Sequence, residues 1–170
     1  MMIVSRCLLG DACKYNGGDN RCEAVIDFLS GKTVFPVCPE TAGGLPRPRE
    51  PAEIQGSRVV DRNGVDRTDA FIEGAVKSLS DAEAYAEESG EPVEGAILKA
   101  NSPSCGVGAV YDGTFSGRKV QGDGIFAGML RKRGIPLRTE KDFSDFSDPL
   151  KSDAAKAPEP EKQESVKTTK

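Results

Sequence analysis

The sequence predicts an α/β fold in a single domain, with an open, largely parallel sheet flanked by helices and a small β-hairpin insertion. Short apolar runs covering Met2–Leu8, 32–37 and 96–98 have the composition of buried strands. Stretches with helical spacing separate the runs, as expected when parallel strands are joined by crossover helices. A cysteine stands where each run stops, at Cys7, Cys38 and Cys105.

The first half of the chain predicts one short helix, one strand, one loop and one hairpin. Apolar residues recur at helical spacing within 22–32, and Gly31 suits the left-handed position that ends a helix. The strand 32–37 follows. Segment 38–51 is too rich in glycine and proline for a helix or a central strand, so it predicts a structured loop. Segment 52–66 predicts a hairpin that turns at Asn63-Gly64.

The second half begins with a long helix, for which Thr68 is the predicted N-cap and Gly90 the end. Its predicted buried stripe consists of Ile72, Val76, Leu79, Ala82 and Ala86. After the strand 96–98, the glycine-rich segment 107–124 predicts turns with one or two short strands. A last helix over 124–133 and a strand over 135–137 complete the domain.

The domain is predicted to cover residues 1–143, followed by a disordered tail over 144–170. The tail is polar, charged and nearly free of branched apolar residues, so burial could not offset the entropy lost on ordering. The sequence shows no signal peptide, and no apolar run approaches the length of a membrane span. We therefore expect a cytoplasmic protein that does not enter a membrane.

The net charge and the absence of histidine limit the functions that the protein can have. The 170 residues carry a net charge of −4 with acidic and basic residues mixed, which argues against general nucleic-acid binding. No histidine is present, so chemistry near neutral pH must use cysteine, carboxylate, lysine, tyrosine or hydroxyl groups. In a reducing compartment, clustered cysteines usually bind metal or react rather than form disulfides.

Three thiols at the carboxyl ends of parallel strands would meet at one edge of the sheet, where open α/β sheets bind ligands. Cys13 lies in a glycine-rich loop near Cys7 and is close enough to join them, whereas Cys22 has the setting of a buried apolar side chain. No CxxC pair is present. Dispersed soft ligands leave an iron–sulfur cluster and zinc as equal alternatives, in either case with one metal position open.

Two residues near these cysteines are candidates for proton transfer. Glu40 follows Cys38 by two residues and is a plausible acid or base beside a partly dry site. Ser102 lies in the turn before Cys105, where its hydroxyl could donate a hydrogen bond to a substrate or to cluster sulfurs, or could simply stabilise the turn.

Four motifs in order resemble a family: VSRCLLG with CKYNG, VCPE with GGLP, LKANSPSCG, and YDGTFSG. The family is prokaryotic, was long labelled a domain of unknown function, and includes the thiouracil desulfidases. The resemblance covers about residues 2–142. It implies non-redox desulfuration of a small thiolated pyrimidine such as 2-thiouracil, with release of sulfide.

The resemblance also implies the site. It implies a 4Fe-4S cluster held by Cys7, Cys38 and Cys105, with Cys13 as the competitor of Cys7 for the third position. Glu40 and Ser102 become the catalytic pair, and the iron without a cysteine ligand is left to accept the thiocarbonyl sulfur. The alternatives from other classes are a non-catalytic iron–sulfur or sulfide carrier and a zinc-stabilised binding domain. The oligomeric state stays open.

Overall fold

The computed structural model describes residues 1–147, which form eight strands, four α-helices and two 3-10 helices. In chain order the strands and α-helices are β1 (Met2–Ser5), α1 (Glu23–Phe28), β2 (Val34–Val37), α2 (Pro39–Ala42), β3 (Ala52–Gln55), β4 (Arg58–Asp61), α3 (Thr68–Ser89), β5 (Gly95–Leu98), β6 (Ala109–Tyr111), β7 (Lys119–Gln121), α4 (Ile125–Lys132) and β8 (Leu137–Thr139). The 3-10 helices are Arg6–Leu9 and Phe143–Ser147. None of the helices among residues 1–147 is long and apolar enough to cross a membrane.

The central sheet has the order β2-β1-β5-β8, and every pair in it is parallel. The pairs β3-β4 and β6-β7 form two separate antiparallel hairpins. The predicted fold class is therefore confirmed. From β1 the chain turns to β2 on one side, and later strands are added on the other side. The crevice between β1 and β5 is thus the switch point at which such sheets bind ligands.

Alternation along the strands divides the interior into two cores. Ile3, Ala96 and Leu98 face α3 and α4, where they pack with Leu79 and Phe126. Their neighbours in sequence face the opposite side of the sheet and pack against α1, in a core that contains Met2, Val4, Val25, Leu29 and Ile97. Both faces of β1 and β5 are buried, which explains why these strands are continuous apolar runs in the sequence.

Helix α3 buries a different stripe from the predicted one. Leu79 and Ala82 are buried as expected, but Ile72 and Val76 are 41% and 52% exposed. The buried face instead carries Phe71 and several small residues, among them Gly74, Ala75 and Ser78. Small side chains occupy the buried face because they let α2 and the sheet approach the helix backbone closely.

The hairpin insertion is confirmed, but its turn is not where the sequence predicted it. Strands β3 and β4 are joined at Gly56-Ser57, where Gly56 has φ of +62°. Asn63-Gly64 forms a second turn after β4, held by a hydrogen bond from the Gly64 N–H to the Asp61 carbonyl. Thr68 is the first residue of α3 rather than its N-cap; its hydroxyl oxygen accepts a hydrogen bond from the Val59 N–H.

Several predicted boundaries also move. The first strand ends at Ser5 because the chain turns into a 3-10 helix, and α1 covers only Glu23–Phe28. Within the predicted loop 38–51, residues Pro39–Ala42 form a short helix, in which proline occupies a first-turn position that needs no N–H donor. The last strand lies two residues later than predicted, at Leu137–Thr139.

Two glycines bring α2 and α3 into backbone contact. A Cβ atom at Gly74 would lie 1.9 Å from the Pro39 carbonyl oxygen, and one at Gly43 would lie 1.9 Å from the Ala70 carbonyl oxygen. Both distances are far below van der Waals contact, so neither position can carry a side chain unless the two helices separate. This contact determines where α2, and with it the segment that follows Cys38, sits on the domain.

Gly74→Ala is therefore expected to destabilise the protein although alanine is the better helix former. Overpacking should cost about 1–3 kcal/mol, more than the gain in helix propensity of about 1 kcal/mol. Urea unfolding of the cluster-free protein measures the difference. Gly128→Ala in α4 is the matched control, because the nearest atom to its Cβ is 4.0 Å away. Equal stability of the two variants would contradict the close contact.

The described C-terminal residues pack on the α1 side of the sheet. The Phe143 ring packs edge-to-face on Phe28, with centroids 5.4 Å apart. The Phe146 ring fills the space beside Gly95, where a Cβ would lie 2.6 Å from it. Residues 144–147, assigned to the tail from sequence, thus belong to the second 3-10 helix. The rest of the predicted tail, 148–170, lies outside the described residues.

Truncation after Asp142 is expected to lower the free energy of unfolding by about 2–4 kcal/mol, since it removes two half-buried phenylalanine rings. Truncation after Ser147 keeps both rings and is the matched control, and the polar composition of 148–170 predicts no loss there. Thermal unfolding of the two truncated proteins is the measurement. Equal melting temperatures would show that the two rings contribute nothing to stability.

Candidate functional site

Four cysteines converge at the carboxyl edge of the sheet. Cys7 lies in the 3-10 helix that follows β1, and Cys38 follows the last residue of β2 and precedes α2. Cys105 lies in the turn after β5, and Cys13 lies in the loop between β1 and α1. The strands end level with one another, since Ser5 pairs with Val37. The loops that follow them therefore open toward a common space.

That space is a cavity of about 520 Å³. It is lined by Cys7, Cys13, Cys38 and Cys105, together with both predicted proton-transfer residues, Glu40 and Ser102. Cys22 is not among the lining residues and packs in the core beside α1. The structure thus brings together every residue that the sequence nominated, including the competitor Cys13, and separates the one cysteine assigned to the core.

Cys13 hydrogen-bonds with two other thiols. The bond with Cys13 is the largest cause that lowers the pKa of Cys38, to about 6, and the pKa of Cys7 is lowered for the same reason. Its bonds with Cys38 and then Cys7 raise the pKa of Cys13 itself. These bonds therefore favour the thiolate form of Cys38 and Cys7 and the thiol form of Cys13.

Cys105 is buried, and its burial raises the pKa of its thiol well above the ordinary value. A hydrogen bond with Ser5 opposes that shift. The backbone around Cys105 is held by Ser102, whose Oγ accepts the N–H groups of Ser104 and Cys105, each at 3.1 Å. Ser102 therefore stabilises the turn. Because both bonds use the oxygen as acceptor, its own proton is left to donate into the cavity.

Glu40 is anchored through one carboxylate oxygen. Arg49 Nε donates to Glu40 Oε2 at 2.8 Å, Nη2 forms an ion pair with the same oxygen at 2.6 Å, and the arginine side chain is only 8% exposed. The guanidinium also donates to the Cys13 carbonyl at 3.0 Å. Among residues 1–147, the second carboxylate oxygen, Oε1, accepts only a long hydrogen bond of 3.4 Å from Ser104 Oγ. Arg49 thus orients Glu40 and leaves Oε1 as the more available oxygen.

The ends of β5 and β8 add a second ion pair beside the cavity. Lys99 Nζ, on the cavity wall, contacts Glu140 Oε1. Glu140 Oε2 accepts the Ala100 N–H at 2.8 Å. The Lys99 charge is therefore neutralised within the protein. Glu40, with its available oxygen, is the better placed of the two charged groups for proton transfer.

The chemistry of the donor set is that of an iron–sulfur cluster site. Within residues 1–147, no group of three or more cysteine or carboxylate side chains is arranged tightly enough to hold a single metal ion. A cubane cluster binds its thiolates at separate corners, so its ligands are spaced more widely than those around one zinc ion. Cysteines 7, 38 and 105 fit such a cluster, because they are soft donors from different loops facing one cavity.

Sequence patterns did not assign several of the lining residues to this site. Arg49 is distant from Glu40 by nine residues within a proline-rich loop. Glu53 is 8% exposed at an inward position of β3, where an apolar side chain would be expected. Tyr111 and Phe115 come from the YDGTFSG motif, whose purpose the sequence did not reveal. These residues line one cavity because the hairpins β3-β4 and β6-β7 dock together, and local sequence patterns do not encode that docking.

The fold and the cysteine-lined cavity define a class of α/β proteins with a thiol-rich site at the switch point of the sheet. The 2-thiouracil desulfurase family model matches residues 2–142, and the chain belongs to this family. Over 156 residues it is 40% identical to the uncharacterized protein YbbK of Bacillus subtilis (strain 168), covering 86% of this chain and 99% of that protein.

A solved structure is similar along most of its length. It is that of the 4Fe-4S-dependent thiouracil desulfidase TudS, which matches with a TM-score of 0.75 and 38% sequence identity. The match covers 88% of this chain and 96% of the TudS chain. The predicted family resemblance is therefore confirmed by sequence and by fold.

Proposed function

We propose that this protein is a 4Fe-4S-dependent desulfidase that hydrolyses the C–S bond of a small thiolated pyrimidine such as 2-thiouracil. The reaction consumes water and yields the oxo base and hydrogen sulfide, with no net electron transfer. The observation that carries the proposal is the single cavity that joins soft thiol ligands to an anchored carboxylate and a hydroxyl. The family and the likeness to TudS support the same activity.

Cys7, Cys38 and Cys105 would hold the cluster. Cys13 is assigned the role of a hydrogen-bonding neighbour, because its side chain bonds with those of both Cys38 and Cys7. Three protein ligands leave one iron open. When bound, the cluster supplies a Lewis acid for the thiocarbonyl sulfur.

The remaining chemistry belongs to side chains of this protein. Glu40 Oε1 would accept a proton from the water that attacks the thiocarbonyl carbon, while Arg49 holds the other carboxylate oxygen in place. Ser102, whose oxygen already accepts two backbone N–H groups, would donate its proton to the polar edge of the ring or to the departing sulfur. The protein would then release sulfide and the oxo base.

Anaerobic reconstitution followed by incubation with 2-thiouracil tests the proposal. The expected result is many equivalents of uracil and sulfide per cluster, in equal amounts and without added reductant. At most one sulfide per protein would identify a sulfur carrier instead. If the folded protein is colourless and binds stoichiometric zinc and no iron, it is a zinc-stabilised binding domain instead.

A further inference from the structure

Glu53 connects the first hairpin to the loop between β6 and β7. Its side chain lies at an inward position of β3, and Oε2 accepts the N–H groups of Gly113 and Phe115, each at 3.0 Å. From the same strand, Gln55 Nε2 donates to the Gly113 carbonyl at 2.7 Å. The loop 112–117 is therefore held by three hydrogen bonds from one edge of β3.

The held conformation is an unusual one. Phe115 has φ of +56°, a left-handed conformation that is rare for a bulky side chain and persists only where the surroundings impose it. Gly113 has φ of +86°, and a Cβ there would lie 2.6 Å from the Gln55 side chain and 2.7 Å from the Ile54 carbonyl oxygen. The close approach of the loop to β3 thus requires glycine at 113 and strains the backbone at 115.

The strained residue is one of two aromatic residues that line the cavity. Phe115 and Tyr111 both line the cavity that holds the four cysteines and Glu40. The Arg62 guanidinium lies 5.7 Å from the Phe115 ring centroid, which further restrains the ring. Flat aromatic side chains in a cavity of this kind bind flat ligands by stacking, independently of the hydrogen bonds at the ligand edge.

We propose that Phe115 is a specificity-determining residue that stacks on the planar ring of the substrate, and that Glu53 is the positioning residue that holds Phe115 in place. The inference rests on the proposed function and deepens it. It assigns to this site planar heteroaromatic thiocarbonyl compounds in preference to small non-aromatic ones. It also explains why a buried carboxylate accepts hydrogen bonds from two backbone N–H groups of a loop.

The first test compares substrates and variants by KM and kcat, per intact cluster. Phe115→Ala should raise KM for 2-thiouracil about tenfold, with a smaller change in kcat. The parameters for thiourea, which has no ring, should be unchanged. Val120→Ala, on the same hairpin but exposed, is the matched control. An unchanged KM for 2-thiouracil, or an equal loss with thiourea, would overturn the stacking role.

The second test separates positioning from a general loss of structure. Glu53→Ala leaves the two N–H groups without their acceptor. It should raise the KM for 2-thiouracil as much as Phe115→Ala does, and leave the parameters for thiourea unchanged. Glu53→Gln keeps an acceptor oxygen and should restore most of the affinity. The double variant Glu53→Ala/Phe115→Ala should be no worse than Phe115→Ala alone. Additive losses would show that Glu53 does not act through Phe115.

Binding of uracil to the cluster-loaded protein, measured by equilibrium dialysis, does not depend on turnover. If the protein fails to desulfurate 2-thiouracil but its affinity for uracil falls about tenfold in Phe115→Ala, the proposed function fails and the stacking role stands. If turnover occurs and uracil affinity is the same in the wild type and in Phe115→Ala, the stacking role fails and the proposed function stands.

Discussion

Cys105→Ser is expected to abolish both cluster binding and desulfuration. Serine offers a hard oxygen in place of a soft thiolate, and its ionisation in this buried position is far less favourable. Cys38→Ser should behave in the same way. The measurement is iron and sulfide content after anaerobic reconstitution, together with the visible absorption of the cluster. A Cys105→Ser protein with a normal cluster would contradict the ligand assignment.

Two further cysteine variants serve as controls for that result. Cys22→Ser should keep both cluster and activity, because Cys22 packs in the core beside α1 and does not line the cavity. Cys13→Ser should keep a cluster, since serine can still donate a hydrogen bond to Cys7 or Cys38. Loss of the cluster in Cys13→Ser but not in Cys7→Ser would show that Cys13, and not Cys7, is the third ligand.

Glu40→Gln is expected to lower turnover by about 10²–10⁴-fold, the usual contribution of a positioned acid or base. The amide keeps the size of the side chain and can still accept a hydrogen bond from Arg49, but it cannot accept the proton of the attacking water. Sulfide release is measured per intact cluster, so that a lost cluster is not mistaken for lost chemistry. A wild-type rate on that basis would make Glu40 structural.

The matched control is Glu50→Gln, which makes the same change at an exposed carboxylate ten residues further along the chain and should have no effect. Ser102→Ala is the companion variant. It removes the proposed donor and also the acceptor of the Ser104 and Cys105 N–H groups. We expect a smaller loss of turnover than in Glu40→Gln, accompanied by a less stable cluster. If Glu40→Gln is fully active, Lys99 becomes the next candidate for proton transfer.

Local patterns were sufficient where one physical effect dominated. Strands β1 and β5 could be recognised because both of their faces are buried, which makes them continuous apolar runs. Helix α3 could be delimited near Thr68 and Gly90 by its length and its glycine end. Cys38 and Cys105 could be assigned to one edge because parallel strands deliver their carboxyl ends to the same side.

Local patterns failed where contacts between distant segments decide the outcome. The buried face of α3 is chosen by backbone contact with α2 through Gly74 and Gly43, and this excludes the larger apolar residues Ile72 and Val76. The hairpin turns at Gly56-Ser57 because β3 and β4 pair in that register, although Asn63-Gly64 has the stronger turn composition. In each case packing overrides a local preference worth about 1 kcal/mol or less.

The sequence by itself determined the parallel α/β class, the gathering of cysteines at one edge, and the family, because these depend on apolar periodicity and on motifs contiguous in the chain. Only the tertiary structure decided that Arg49 orients Glu40, that Cys13 hydrogen-bonds with two other thiols, and that Glu53 holds Phe115 at the cavity. Those relations join segments brought together by docking of the loops and hairpins onto the sheet. Their energies arise from distances between side chains, which no local pattern in the sequence specifies.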